Sequence, residues 1–530
     1  MKSLDLSRWL HVRAVFVTAL AVAASLLCGR DLMAATALPT DTLRIGIGGQ
    51  PDTLELSQVT NSATASLLEH VVETLVTVDA TGRIAPRLAQ RWTVSSDGLQ
   101  FTFYLPAGVT FQDGTPLTAS AVVWNVNRLQ NRVALVSNCA VVAQELAAIQ
   151  SIVAVDSTTV LFKLSRPVPN FLATLSWIAW GVLSPQSASV SGNQLYNIQH
   201  PVGTGPYSFT SLTTSQLQLT RFDGYRGVRP YYAKLSFNFI ASPQDRETGL
   251  ANDQLDVILL PSAKDVATIA QDSRFAVLTQ PSLRSIFVNL NNQKAPFNDV
   301  RVRQAVNLAI DKQALIDQVL LGNATALDSP VAPGVFGYCS VGSYAYDPAA
   351  AQALLAAAKV APGTPLRMLT PNGRYLEDVA VAQRIAGYLN AVGFAVTLEV
   401  DEWPVLLGQV SRPPTQVTAD LHLFGWAPTF PDAGWQLPQL YDSKKWPPNG
   451  PASSFYKNAA VDSLLDAASQ EQNPATRSSD FCNAEQKIWA DAPAAFLWVQ
   501  SFYVVSKAGL TNIVSLPNEK ISVAFAKPTG

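Results

Sequence analysis

The chain is poor in charge, in histidine and in cysteine. Only 14% of its 530 residues are charged, against 48% apolar, and the formal net charge is −2. No run of Lys and Arg occurs, which argues against a nucleic-acid partner, because neutralising phosphates takes a concentrated basic surface. Four histidines and four cysteines are too scattered to form a spaced zinc motif. There is no G-x-S-x-G elbow and no paired-carboxylate constellation, so no catalytic residue is assigned and a secreted hydrolase finds no support. Beyond the N-terminus, no apolar run approaches the ~18 residues that span a bilayer.

What the N-terminus does contain is an export signal. Lys2, Arg8 and Arg13 precede an apolar run from Ala14 to Cys28, and small residues follow around Ala34 to Ala37. This is a basic region, an apolar region and an A-x-A-like cleavage site, with cleavage expected between Ala34 and Leu38. Cys28 offers lipid anchoring as an alternative, although Leu27 stands where a lipobox normally has a small residue. The mature chain keeps Cys139, Cys339 and Cys482. That odd count permits one disulfide, by any of three pairings, and one leftover thiol.

At 530 residues the chain exceeds one ordinary core, and two or three lobes are expected. Thr42 to Gly48 alternates as a first strand, and Ala65 to Val78 has helical spacing running into a short strand. Leu99–Leu105 and Thr158–Leu164 read as strands, and Thr118 as the cap of a helix through Leu129. Pro201 to Tyr207 gathers turn formers but lacks the ending of a phosphate loop, and reads as a crossing or hinge turn. From Ser285 onward, strands (Ile286–Leu290, Leu366–Thr370, Phe394–Val400) alternate with helices opened by Asp299, Pro348 and Asp378. That pattern describes an α/β lobe with a central sheet. Helices at Ala460–Ala468 and Ser479–Trp489 and a strand at Ala495–Val505 complete the chain.

One stretch stands apart, Leu421 to Trp435. It starts as an alternating buried strand and breaks into a loop with Gly425, Pro428, Pro431 and Gly434, two tryptophans and the acid Asp432. A large aromatic where a strand ends suits a pocket wall; the alternative is a tryptophan that only plugs the core.

Several segments, in order, carry a family resemblance: Arg83–Trp92 with Phe101–Phe111, Asp113–Ala119, Gly203–Tyr207, Phe297–Asp311 and Tyr456–Asp462. From about Thr42 to Ser506 the chain resembles the family 5 extracytoplasmic solute-binding proteins of ABC importers, which include peptide, dipeptide and nickel binders. The resemblance implies an α/β, two-lobed periplasmic-binding-protein fold (type II-like) with an extra subdomain inserted in the first lobe. The expected divisions are a signal peptide at 1–37, a lobe I core from 38–58, 186–280 and 496–530, an inserted subdomain at 59–185, and lobe II at 281–495. It further implies a monomeric, non-enzymatic periplasmic receptor without cofactor, closing on a solute and delivering it to an ABC permease in the inner membrane.

Trp426 matches the family's pocket tryptophan, and the resemblance implies that the backbone from Gly425 through Ala427 to Thr429 bonds an extended peptide. The position three after that tryptophan is typically an aspartate that neutralises the peptide's α-ammonium. Here it is Thr429, whose hydroxyl cannot balance a buried charge. Asp432 is either a displaced substitute or an ordinary turn carboxylate. Arg374 is the candidate for a ligand carboxylate, with a solvated loop arginine as its alternative. Thr60, Asn61 and Ser62 are expected to line the cleft from the first lobe, with Trp403 packed beneath them or on the second. His422, on the strand leading to Trp426, is the residue to examine for a nickel complex, although a lone strand histidine is more often a satisfied core residue. The expected ligand is an oligopeptide or peptide-like solute. The alternatives are an N-blocked peptide, an opine-like conjugate, a glycoside or chelated nickel.

Overall fold

A computed structural model of the chain describes residues 41–59, 62–79, 83–135, 143–186 and 198–529. The expected export signal, Thr60, Asn61 and Cys139 lie outside them. No helix among the described residues is long and apolar enough to cross a membrane.

The first strand, β1 (Thr42–Ile47), alternates as its sequence requires and is followed by a short helix, α1 (Ser62–Leu68). The helix stops earlier than the apolar spacing of Ala65–Val78 suggests. His70 Nδ1 bonds the Ser66 carbonyl, and the carbonyls of His70 and Val71 are taken by the N–H groups of Tyr207 and Gly205. Those tertiary bonds outweigh helix continuation. They also correct the reading of Pro201–Tyr207 as a hinge, since this run is a packing seam. A Cβ on Gly203 would stand 2.3 Å from the Val71 carbonyl oxygen, an approach only glycine permits.

Between β1 and that seam lie a hairpin, β2 (Val76–Val78) with β3 (Ile84–Pro86), and four further strands: β4 (Arg91–Val94), β5 (Gln100–Tyr104), β6 (Ile149–Ala154) and β7 (Thr159–Leu164). The four form an antiparallel sheet ordered β4-β5-β7-β6. Its buried face carries Phe101 and Phe162, which meet Phe171 at centroid distances of 4.8 and 5.7 Å, and Phe103, which meets Phe162 edge-on at 5.6 Å. α2 (Ala119–Leu135) packs on this sheet, its first turn bonded by the Thr118 hydroxyl to Ala121 N–H.

A second, larger sheet runs through the whole molecule. It is completed by β8 (Tyr207–Leu212), β9 (Gln216–Arg221), β10 (Lys234–Phe239), β11 (Val257–Leu259), β12 (Phe275–Leu290), β13 (Ala324–Ala326), β14 (Thr364–Pro371), β15 (Phe394–Asp401), β16 (Leu421–Trp426) and β17 (Ala494–Lys507). The order is β15-β14-β16-β12-β17-β11-β1-β10-β9-β8, with β13 on β17. Two long antiparallel strands, β12 and β17, join its halves. Up to Pro281, β12 pairs with the end of β17, which lies beside β11; from Ser285 it pairs with the start of β17 and with β16. The register breaks between Pro281 and Ser285, where a proline cannot donate to the ladder. Beyond this break β12 continues along β17 in a new register and gains β16 as its second neighbour.

In the second half Asp299 caps α3 (Val300–Ala309), accepting the Arg301 N–H at 2.9 Å, and the helix buries Val302, Ala305, Val306 and Ala309. The apolar pattern past Asp311 belongs to a separate helix, α4 (Lys312–Gln318), because Asp311 caps it in turn through Ala314 N–H. α5 (Pro348–Ala357), α6 (Asp378–Ala391) and α7 (Trp403–Val410) follow, with α6 and α7 packed against the sheet. After β16 the chain enters an unexpected helix, α8 (Ala433–Tyr441), then α9 (Ala459–Ala468) and α10 (Pro474–Asp491). Of the three cysteine pairings left open by the sequence, Cys339–Cys482 is made, tying the segment before α5 to α10. The C-terminal segment returns to the first half, where Leu510, Ile521, Val523, Ala524 and Ala526 join the core that contains β1.

Candidate ligand-binding site

The site grows from the end of β16. Its register with β12 places Gly425 opposite Ile286 and Trp426 opposite Ser285. Pairing with β14 stops at His422, and beyond it the β14 side of Gly425 is met by the hydroxyl of Tyr375. Gly425 N–H donates to that oxygen at 2.9 Å, and the hydroxyl donates to the Gly425 carbonyl at 3.3 Å. A Cβ at Gly425 would lie 2.6 Å from Ile286 and 2.9 Å from the Tyr375 ring, so the contact depends on glycine.

Tyr375 is held by a loop that one carboxylate organises. Asp378, at the start of α6, accepts the N–H groups of Gly373, Arg374, Tyr375 and Val379 at 2.8 to 3.1 Å. Burial nonetheless pushes its carboxyl up to about 6, against those four bonds. The loop sets the Arg374 guanidinium 5.5 Å from the Tyr375 ring centre and 5.2 Å from that of Trp403. Trp403, at the start of α7, packs against Tyr375 and Phe424 at 6.0 and 5.5 Å between centroids.

A second guanidinium approaches the same tyrosine. Arg284, on β12 within the register break, lies 5.8 Å from the Tyr375 ring centre, and its Nη1 is 3.4 Å from the Gly425 carbonyl oxygen. Arg284 is matched by Glu519, whose carboxylate takes its Nε at 2.6 Å together with Ser282 Oγ and Gln500 Nε2, both at 2.9 Å. Arg374 has no such partner and makes no ion pair with a described residue. Burial, then the charge of Arg284, lowers its pKa, while Tyr375, Glu519 and Asp52 act in the opposite sense. Its Nε and the indole Nε1 of Trp426 are donors shielded from solvent and without an acceptor among the described residues, an arrangement that normally costs ~1–3 kcal/mol each. Among the described residues, Arg284 is thus paired with Glu519, whereas Arg374 beside it makes no ion pair and keeps a donor without an acceptor.

The other half of the molecule reaches the same place. A Cβ on Gly48, just after β1, would lie 3.3 Å from the Gly373 carbonyl oxygen. Val78 of the inserted hairpin packs with Phe430 and Trp435, and Asn518 Nδ2 donates to the Thr429 carbonyl.

The remaining expected residues fall as follows. Ala427 is partly exposed beside Trp426, whereas Thr429 is 5% exposed with its carbonyl held from the opposite half. Asp432 caps α8 through Gly434 N–H and forms a two-pronged ion pair with Arg477 at 2.7 and 2.8 Å, so its oxygens are engaged away from the Arg374 group. Trp435, expected in the loop, is buried in α8. Ser62 opens α1 and is buried, its carbonyl taken by the Ser66 hydroxyl. His422 is a core residue bonded to Asn289 and Ser453 at 3.2 and 3.0 Å, and burial lowers its pKa to about 3. Among the described residues, no three His, Cys, Asp or Glu gather in a way that could hold a metal. Arg284, Tyr375 and Glu519 were missed by sequence reasoning. The signal for Arg284 was a charge inside the apolar run Leu283–Leu290, whereas Glu519 gave none.

Comparison with known proteins matches this architecture. Residues 83–448 match the bacterial extracellular solute-binding proteins, family 5. The glutathione-binding protein GsiB of Pectobacterium atrosepticum is 26% identical over 530 residues, covering 98% of each chain. Among solved structures, the Helicobacter pylori periplasmic binding protein DppA in complex with the peptide STSA superposes with a TM-score of 0.83 at 24% identity, covering 91% of this chain and 98% of that one. AgaA of A. tumefaciens R10 in complex with agropinic acid gives 0.81 at 24% identity, covering 92% and 98%. The chain belongs to the family 5 bacterial extracellular solute-binding proteins and is a non-enzymatic, solute-binding component of an ABC importer.

Proposed function

We propose that the protein captures a small, peptide-like solute bearing a carboxylate between its two halves, outside the cytoplasmic membrane, and delivers it to an ABC permease. The observation that carries this reading is that Arg374 Nε and Trp426 Nε1 are both shielded donors without an acceptor among the described residues, adjacent in the chain to the Tyr375–Gly425 contact. A carboxylate is the group that satisfies such donors: it fits a guanidinium in two-pronged geometry and takes an indole N–H as well. The aromatic faces of Trp403 and Trp426 supply the apolar walls a bound solute needs. Glutathione and short peptides end in carboxylates, and the names of the relatives include both, so these are the first solutes to test.

Two features bear on which carboxylate solute is preferred. Thr429 brings no charge, and Asp432 is committed to Arg477. A free α-ammonium therefore finds weaker compensation at this loop than a blocked amine or an opine-type acid does. Chelated nickel is the less favoured reading, because His422 is consumed in the core and no other described histidine stands near Arg374 or Trp426.

Thermal-shift screening of the mature protein against glutathione, di- and tripeptides, N-acetylated peptides, opines and glycosides tests the proposal. A ligand at 100 times its dissociation constant adds ~2.7 kcal/mol, so a true solute is readily seen. Shifts from carboxylate-bearing solutes are expected. Shifts confined to neutral glycosides or to nickel salts would overturn the reading.

A further inference from the structure

The tip of the C-terminal hairpin touches three places that must move relative to one another if the cleft opens. The hairpin is formed by β18 (Val514–Ser515) and β19 (Ile521–Ser522), turning through Leu516–Lys520 with Glu519 in a left-handed conformation at φ +63°. Its base belongs to the first half. Lys520 Nζ pairs with Glu69 at 2.7 Å, Ile521 N–H donates to Ser66 Oγ at 3.0 Å, and Val523 N–H reaches His70 Nε2 at 3.2 Å.

Its tip grips the crossing strands. The Pro517 carbonyl accepts Leu283 N–H at 2.8 Å, and Glu519 gathers Ser282, Arg284 and Gln500 at the register break between β12 and β17. The same tip then crosses to the second half, where Asn518 Nδ2 donates to the Thr429 carbonyl on the loop after Trp426. Asn518 and Glu519 are 5% and 7% exposed, so these bonds form away from water, where the loss of a partner is felt most.

We propose that this hairpin tip is a latch for cleft closure, in which Asn518 positions the ligand loop by catching the Thr429 carbonyl and Glu519 positions Arg284 behind Gly425. Opening carries Thr429 away from Asn518, while the Glu519 contacts ride with the crossing strands and persist. Asn518 therefore sets the ratio of closed to open molecules, and Glu519 sets the geometry of the charged wall. Neither residue needs to touch the solute. The latch rests on the family's two-half architecture and not on the identity of the ligand.

The experiment is a distance measurement on ligand-free mature protein. Spin labels are placed at Val155→Cys in the first half and Val405→Cys in the second, 59% and 53% exposed respectively, with Cys139→Ser removing the third thiol. One buried amide–carbonyl bond shifts an equilibrium about twofold to tenfold, so Asn518→Ala is expected to lower the closed-to-open ratio by that factor with unchanged circular dichroism. Asn518→Asp keeps the size but loses the donor at neutral pH and regains one when protonated. Its closed fraction should therefore recover as pH falls through the carboxyl range, while that of Asn518→Ala should not. Glu69, Arg284, Glu519 and Lys520 contact the turn in both variants, and only Asn518→Asp adds a group that they attract or repel, so the two variants differ by that carboxylate alone. Identical distance distributions for wild type and Asn518→Ala, or no acid recovery in Asn518→Asp beyond that of Asn518→Ala, would overturn the latch. Because no ligand enters these measurements, they cannot be confused with failure of the carboxylate reading.

Discussion

Replacing Arg374 with Met separates a binding arginine from a structural one. Methionine retains an apolar stem between Tyr375 and Trp403 and removes the charge. In the ligand-free protein the loss is two cation–π contacts at 5.5 and 5.2 Å, ~0.5–1 kcal/mol each at a partly exposed site. Removing the repulsion with Arg284 and one acceptorless donor offsets that loss, so stability should change by less than about 1 kcal/mol. Binding is different, because a charged hydrogen-bonded pair contributes ~1.5–3 kcal/mol, and affinity for a carboxylate solute should fall about 10- to 150-fold. At a concentration giving the wild type ~2.7 kcal/mol of ligand stabilisation, a variant weakened 100-fold retains only about 0.4 kcal/mol. Thermal unfolding with and without solute reads both quantities. A preserved ligand shift would refute the assignment, as would a ligand-free protein destabilised by more than about 3 kcal/mol.

Four further outcomes follow from the same geometry. Trp426→Ala should abolish ligand-induced stabilisation while the ligand-free protein stays folded, and an unchanged shift would take the indole out of the site. Gly425→Ala, by driving a Cβ against Ile286 and the Tyr375 ring, should weaken binding more than tenfold; calorimetric titration showing wild-type affinity would contradict the Tyr375–Gly425 contact. Glu485 is buried with its carboxyl pushed up to about 8 by desolvation, while Ser329 and Cys339 N–H donate to it. The folded protein therefore holds a proton that the unfolded chain releases near 4.5, so this group's contribution to stability falls as pH rises from about 4.5 to about 8. Glu485→Gln should flatten that slope in denaturant titrations across the range, and an unchanged slope would assign it elsewhere. Reducing Cys339–Cys482, which spans 143 residues of sequence, should lower stability by about 2–5 kcal/mol, read as a shifted denaturation midpoint with and without reductant.

The elements that sequence reasoning located are those whose signals are local. Asp299 ahead of Val302, Ala305 and Val306 announces a capped amphipathic helix, and Leu421–Trp426 announces a buried strand, because cap and periodicity act within a few residues. Only the second half of β12 was legible. Its first half alternates exposed residues up to Pro281 and is held as strand by β17, 220 residues and more away. α8 was hidden because Pro431 and Gly434 read as breakers, yet Asp432 caps the helix, which also accommodates Pro438. Arg374 and Trp426 could be singled out by type and position. Their environment could not, since it depends on Arg284 meeting Glu519 across 235 positions and Asn518 meeting Thr429 across 89. Such pairs are set by how the sheet halves and the C-terminal hairpin dock, and no periodicity encodes them.

The carboxylate requirement is tested most directly by calorimetric titration of the mature protein with matched pairs, each a free acid and its amide. Glutathione and its diamide, a dipeptide and its C-terminal amide, and an opine acid and its amide form a sufficient set. At least one free acid should bind, and its amide should bind at least tenfold more weakly or not at all. Equal affinities for acid and amide would contradict a site built around the unmatched guanidinium of Arg374.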